Sequence, residues 1–126
     1  MRCLRQSAGS GPQRILIIDQ HEVTRAACAA LLRTEGWEVR DVAPGCDVFT
    51  LTEAFEPDVV LIDATAEARV GDAARQLPRL ACAPRIVVTS SAVPEQLHPC
   101  LRELPFVAKA DICAAAILTA VPTPSR

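Results

Sequence analysis

Four short apolar runs, Ile15 to Ile18, Val59 to Ile62, Ile86 to Val88 and Phe106 to Ala108, constrain this chain more than any other feature. None alternates polar with apolar residues, and continuous runs rich in Val and Ile are the pattern of strands covered on both faces. Each run ends on a polar residue: Asp19, Asp63, Thr89 and Lys109. Between them lie segments with helical spacing. Val23, Ala27, Ala30 and Leu31 fall on one face of a first helix, and Val48, Leu51 and Phe55 on one face of a second. Val70, Ala74 and Leu77 mark a third, stopped by Pro78. A fourth begins near Pro94 and carries Leu97, Leu101 and Leu104 inward. Asp111 caps a last one from Ile112 to about Val121. A further strand, Trp37 to Val42, follows Gly36, which is read as a helix terminator.

The alternation reads as (βα)5. Strands alternating with helices of this length imply parallel pairing through right-handed crossovers, so helices cover both faces of one sheet. The expected class is therefore α/β, a flavodoxin-like doubly wound parallel sheet with strand order 2-1-3-4-5. At 126 residues the chain has the length of one domain. The expected domain runs from 14 to 121, with flexible tails at 1–13 and 122–126, both rich in Gly, Ser and Pro.

Composition narrows the functional classes. A formal net charge of −2 provides no positive field for a phosphate backbone or an anionic membrane, so no direct nucleic-acid or membrane binding is expected. No apolar stretch is long enough for a transmembrane span, and the first residues lack the apolar core of an export signal. The chain is read as cytoplasmic. Its 6 cysteines form no CxxC pair, which argues against zinc and for reduced, mostly buried thiols.

In a parallel sheet the four polar strand ends share one edge, and ligands of open α/β folds bind there, at the point where the strand order reverses. That point lies between the first and third strands, so Asp19 and Asp63 flank it. Lys109 is the chain's single lysine among 13 basic residues. A compact ammonium suits a phosphate as a point charge. Two carboxylates can hold a hard cation such as Mg2+. Phosphoryl transfer asks mainly for positioning and charge neutralisation. Asp63 is then the nucleophile, forming an aspartyl phosphate.

With these residues placed, the sequence resembles the response-regulator receiver family of two-component signalling over roughly Arg14 to Val121. The matching segments are ILIIDQHEVTRAACAALLRTEG, PDVVLIDA, PRIVVTSS and PFVAKA. The resemblance implies Asp63 as phosphoacceptor, Asp19 as an acidic pocket member, Thr89 as the hydroxyl that contacts the phosphoryl group and Lys109 as its ion-pair partner. Phe106 matches the family's aromatic switch position, paired with Thr89. Thr65 matches the position whose backbone carbonyl serves the metal. The implied role is phosphorelay signal transduction, with a sensor histidine kinase or phosphotransfer protein as donor and a homodimer through the fourth and fifth helices. No enzymatic activity is implied beyond self-phosphorylation and slow autodephosphorylation.

Two departures stand out. Where the family has a second acid, this chain has Gln20, a weak metal ligand without charge. Losing one negative charge about 4 Å from a cation costs up to a few kcal/mol at an effective dielectric near 20, so Mg2+ binding is expected to be weakened. The loop after Asp63, ATAEARVGD, lacks the family's Met-Pro-Gly pattern. Both departures raise the alternative of a degenerate receiver, an interaction module that docks partners without phosphate. A haloacid-dehalogenase-like phosphatase needs an Asp two residues after its nucleophile; Asp19 has His21 there. The Asp-x-His of cobalamin-binding domains is echoed by Asp19 and His21, but Thr24 stands where their Gly belongs.

Overall fold

A computed structural model describes residues 13–44, 47–64, 73–91, 97, 101 and 104–121. Five strands, β1 (Arg14–Ile18), β2 (Glu38–Val42), β3 (Val59–Asp63), β4 (Arg85–Ser90) and β5 (Phe106–Ala108), pair in parallel in the order β2-β1-β3-β4-β5. That is the order expected from the sequence. The reversal between β1 and β3 opens the crevice that Asp19 and Asp63 flank, since Ile18 pairs with Ile62 immediately before them.

The unbroken apolar runs are explained by cores on both faces. One face carries Leu16, Ile18, Val60, Ile62, Ile86 and Val88, covered by α2 (Val48–Phe55), the helical residues 73–76 (α3), and Leu77, Leu97 and Leu101. The other carries Ile15, Ile17, Val59, Leu61, Val87 and Val107, covered by α1 (Glu22–Thr34) and α4 (Ala114–Ala120). Each side chain of this size stabilises the fold by roughly 1.5–3 kcal/mol when fully buried. Neither face can be left to water.

Local signals set the helix ends. Asp47 caps α2, its carboxylate accepting from the Thr50 N–H at 3.1 Å and the Thr50 hydroxyl at 2.7 Å. These bonds hold its pKa below the usual carboxylate value. After α1 the chain turns through Gly36 at φ +95°, a conformation that glycine adopts without steric penalty, and the Gly36 N–H donates to the Arg33 carbonyl at 3.0 Å. The terminator reading of Gly36 is correct, and β2 starts one residue later than expected, at Glu38.

Two helical expectations need correction. In α1 the inward residues are Ala29 and Leu32, with Arg25 and Cys28 partly buried, while Val23 is 83% and Leu31 40% exposed and Ala27 and Ala30 face solvent. The orientation is fixed by Arg25, whose guanidinium donates to Asp41 at 3.2 Å and to the Asp19 carbonyl at 2.8 Å. Pattern matching counts that arginine as a surface residue. The third α-helix ends before Pro78, as expected, and the chain continues directly into a 3-10 turn, Leu77–Arg79, that contains it. The last helix starts at Ala114 and is capped by Cys113, whose sulfur accepts from the Ala116 N–H at 3.4 Å. Asp111 belongs to the preceding 3-10 turn, Lys109–Asp111.

The expected second-helix face holds, with Val48 and Phe55 buried and Leu51 packed against them. Ala74 and Leu77 are buried as expected; Val70 lies outside the described residues. Of the fourth expected helix, only Leu97, Leu101 and Leu104 are described near its inward face, and all three join the first core. Cys28, Cys82 and Cys113 are partly rather than fully buried and form no disulfide among the described residues.

Candidate functional site

Strand side chains alternate between the two cores, and this alternation decides which polar residues meet. Ile17, Leu61, Val87 and Val107 all point to the α1/α4 face. Two residues further on stand Asp63 and Thr89, within β3 and β4 and with the same parity, and Asp19 and Lys109, just beyond the ends of β1 and β5. Asp63 pairs in register with Thr89 across β3 and β4. The four residues singled out in the sequence are thus on one edge and one face.

Lys109 joins the two acids. Its ammonium lies 3.1 Å from Asp19 Oδ2 and 3.3 Å from Asp63 Oδ2. Both carboxylates are buried, Asp63 completely and Asp19 to within 4%. Removing a carboxylate from water is unfavourable unless another charge answers it, and one ammonium cannot neutralise two. Two carboxylates around one ammonium are a setting that suits a cation. The donor set fits Mg2+, which prefers carboxylate oxygens.

The Thr89 hydroxyl is buried and is the one buried side-chain polar atom among the described residues without a hydrogen-bond partner. Leaving such a group unanswered costs about 1–3 kcal/mol. It sits beside Asp63 in the sheet, where a ligand oxygen would satisfy it.

His21 is the residue whose place in this pocket the sequence reading missed. Its Nδ1 lies 3.2 Å from Asp19 Oδ1 and 3.3 Å from Asp63 Oδ2. Its backbone N–H donates to the same Asp19 oxygen at 2.8 Å, which fixes the imidazole over the pocket at the start of α1. Asp19, His21 and Asp63 form a cluster of potential metal ligands, with one ligand atom of each within 4.8 Å of the others. The signal was present in the Asp-x-His spacing: an aspartate commonly accepts from the N–H two residues on, which draws that residue back over its own carboxylate.

Of the remaining expected residues, Gln20 is exposed. Phe106 is partly buried against the first core, on the face opposite Thr89. Thr65 and the loop around Gly71 lie outside the described residues. Cys28, on α1 close to Asp19, is pushed up to about 11, first by burial and then by the Asp19 charge.

Comparison with known proteins agrees with this architecture. The sequence matches no protein-family model. It is 35% identical over 81 residues to the transcriptional regulatory protein PdtaR of Mycobacterium tuberculosis, a match covering 63% of this chain and 40% of that protein. It is 31% identical over 83 residues to the transcriptional regulatory protein LiaR of Bacillus subtilis, covering 64% and 39%. The matched segment spans about two fifths of these relatives' length. Among solved structures, a CheY-like response regulator receiver domain from Methylobacillus flagellatus superposes with a TM-score of 0.69 at 19% identity, covering 85% of this chain and 93% of that one. A response regulator from Burkholderia pseudomallei, solved with a phosphorylated aspartic acid and a calcium ion, gives 0.69 at 23% identity, covering 88% and 67%. No helix among the described residues is long and apolar enough to cross a membrane. The chain has the receiver fold of two-component response regulators.

Proposed function

We propose that the chain takes a phosphoryl group on Asp63 from a sensor histidine kinase or phosphotransfer protein and passes the change to a partner surface. The observation that carries this reading is the unanswered Thr89 hydroxyl in register with a fully buried Asp63 whose carboxylate is already held by Lys109. An acceptor oxygen, a hydroxyl donor and an ammonium converge where one tetrahedral anion would meet all three.

In the transfer, a lone pair of the Asp63 carboxylate forms the new O–P bond while the P–N bond of a phosphohistidine donor breaks, its electron pair leaving on the imidazole nitrogen. The Lys109 ammonium offsets the charge on the phosphoryl oxygens, and the Thr89 hydroxyl donates to one of them. A Mg2+ ion held by the oxygens of Asp19 and Asp63 supplies further charge neutralisation when bound. The reaction stops at the aspartyl phosphate and its slow hydrolysis, so no separate substrate is turned over. Thr89 drawn toward the phosphoryl group changes the surroundings of β4 and β5, where Phe106 packs. The phosphate-independent alternative rests on Gln20 and the loop after Asp63, and the assembled pocket does not favour it.

Incubation with Mg2+ and acetyl phosphate, followed by intact mass, tests the reading. The expected result is one phosphate adduct on the wild type and none on Asp63→Asn. Absence of an adduct at every Mg2+ concentration overturns it.

A further inference from the structure

Two buried carboxylates that share one ammonium would be expected to attract a hard cation through oxygen alone. Here a nitrogen stands among them. His21 Nδ1 is 3.2 Å from Asp19 Oδ1 and 3.3 Å from Asp63 Oδ2. Metal–nitrogen and metal–oxygen bonds of about 2.0–2.2 Å in a tetrahedral site place neighbouring ligand atoms roughly 3.3 Å apart. Both spacings through Nδ1 are close to that value. We infer that Asp19, His21 and Asp63 form a mixed nitrogen and oxygen cation site that favours borderline first-row ions, of the Co2+, Ni2+ and Zn2+ class, over Mg2+.

Several independent features support a ligand role for this imidazole. Its backbone N–H is tied to Asp19 Oδ1 at 2.8 Å, so the ring is anchored to a prospective ligand. The two oxygens of Asp19 are divided, Oδ1 toward His21 and Oδ2 toward Lys109, whereas Asp63 Oδ2 is shared by His21 and Lys109 at 3.3 Å each, so a cation at this site takes that oxygen in place of the ammonium. Asp19 and Asp63, two carboxylates that share the Lys109 ammonium, are almost closed to water. The ring itself is half exposed, which leaves an approach from solvent. Imidazole nitrogen raises affinity for later first-row ions, whereas Mg2+ takes carboxylate and water oxygens and gains little from it. His21 thus offers a ligand beside the position where Gln20 supplies no charge, and it changes which ion is preferred.

The inference rests on the reading of this pocket as a cation site, and its test separates the two. Co2+ and Mg2+ affinities are measured by calorimetry on the full chain for wild type, His21→Ala and His21→Gln, with Asp63→Asn as the carboxylate control. The expected result is a fall of about tenfold or more in the Co2+-to-Mg2+ affinity ratio in both His21 variants, at least the scale associated with losing a group that merely orients a ligand. Asp63→Asn weakens both ions. The ring-nitrogen NMR signals of the two histidines, assigned with His98→Ala, should show Co2+ acting on His21 Nδ1. A ratio that moves by less in the His21 variants, absence of Co2+ binding, or an unperturbed His21 ring overturns the inference. A phosphate adduct formed with Mg2+ in the same preparations shows that the phosphoacceptor reading stands even if this one falls.

Discussion

The two ends of the sheet handle charge in opposite ways. At the amino end of the strands, Arg14 has each of its polar groups answered: its N–H donates to Asp58 at 3.0 Å, its guanidinium pairs with Glu38 at 3.0 Å and donates to the Phe55 carbonyl at 2.6 Å, and its charge lies 5.0 Å from the Phe55 ring centroid. At the carboxyl end, two buried carboxylates share one ammonium and a threonine hydroxyl has no partner. The first end is satisfied without a ligand. The second presents groups that a bound cation and anion would satisfy. Strand ends of this kind are where a stable fold tolerates local cost for the sake of function.

The largest effect expected from this contrast concerns Cys28. A thiol whose pKa stands at about 11 instead of 9 carries about a hundredfold less thiolate near neutral pH. Mass-mapped alkylation at pH 8 should find Cys28 modified about that much more slowly than after unfolding in urea. Equal rates would show that the carboxyl edge is neither as dry nor as negative as described. The linkage has a definite sign: the folded pKa is raised, so the contribution is complete below about pH 9 and is lost as pH rises toward 11.

Next in size is a pair of substitutions at the two ends. Arg14→Ala should lower stability by about 1 kcal/mol in urea unfolding, because its ion pair is partly exposed but its hydrogen bond to Phe55 and its stacking are also lost. Asp63→Asn should not lower it, since the change removes a fully buried charge while Lys109 keeps Asp19 as its partner. Equal losses at both ends would break the comparison. The smallest effect is expected for Thr89→Val, which exchanges an unanswered hydroxyl for a methyl group; stability should stay within about 1 kcal/mol of wild type or rise. A larger loss would mean that the hydroxyl has a structural role.

Much of this arrangement was legible in the residues. Asp19, Asp63, Thr89 and Lys109 were visible because an apolar run that stops on a polar residue marks a strand end, and parallel pairing gathers such ends on one edge. The inward face of α1 was not. Its centre is rich in alanine, so hydrophobicity alone tipped the reading toward Val23 and Leu31. The deciding interaction is Arg25 with Asp41, which joins a helix to a strand and has no periodic signature. His21 was read against two motifs of other families and set aside; the Asp-x-His spacing that places it in the pocket acts through the backbone bond to Asp19, which hydrophobic periodicity does not register. The start of α4 was misplaced for a similar reason: Asp111 is the stronger capping residue by type, but the 3-10 turn after β5 delays the helix until Cys113.

Lys109 stands directly after β5, a strand of three residues that is paired on one side only, to β4 through Val88, Thr89 and Ser90. The ammonium shared by the two acids is therefore attached to the shortest strand of the sheet, shortly before α4. Free energies of local opening are lowest where few contacts hold a segment. A change in the electrical demand of the pocket is expected to change how often that edge lets go, and amide exchange along β5 with and without pocket ligands is the measurement that checks it.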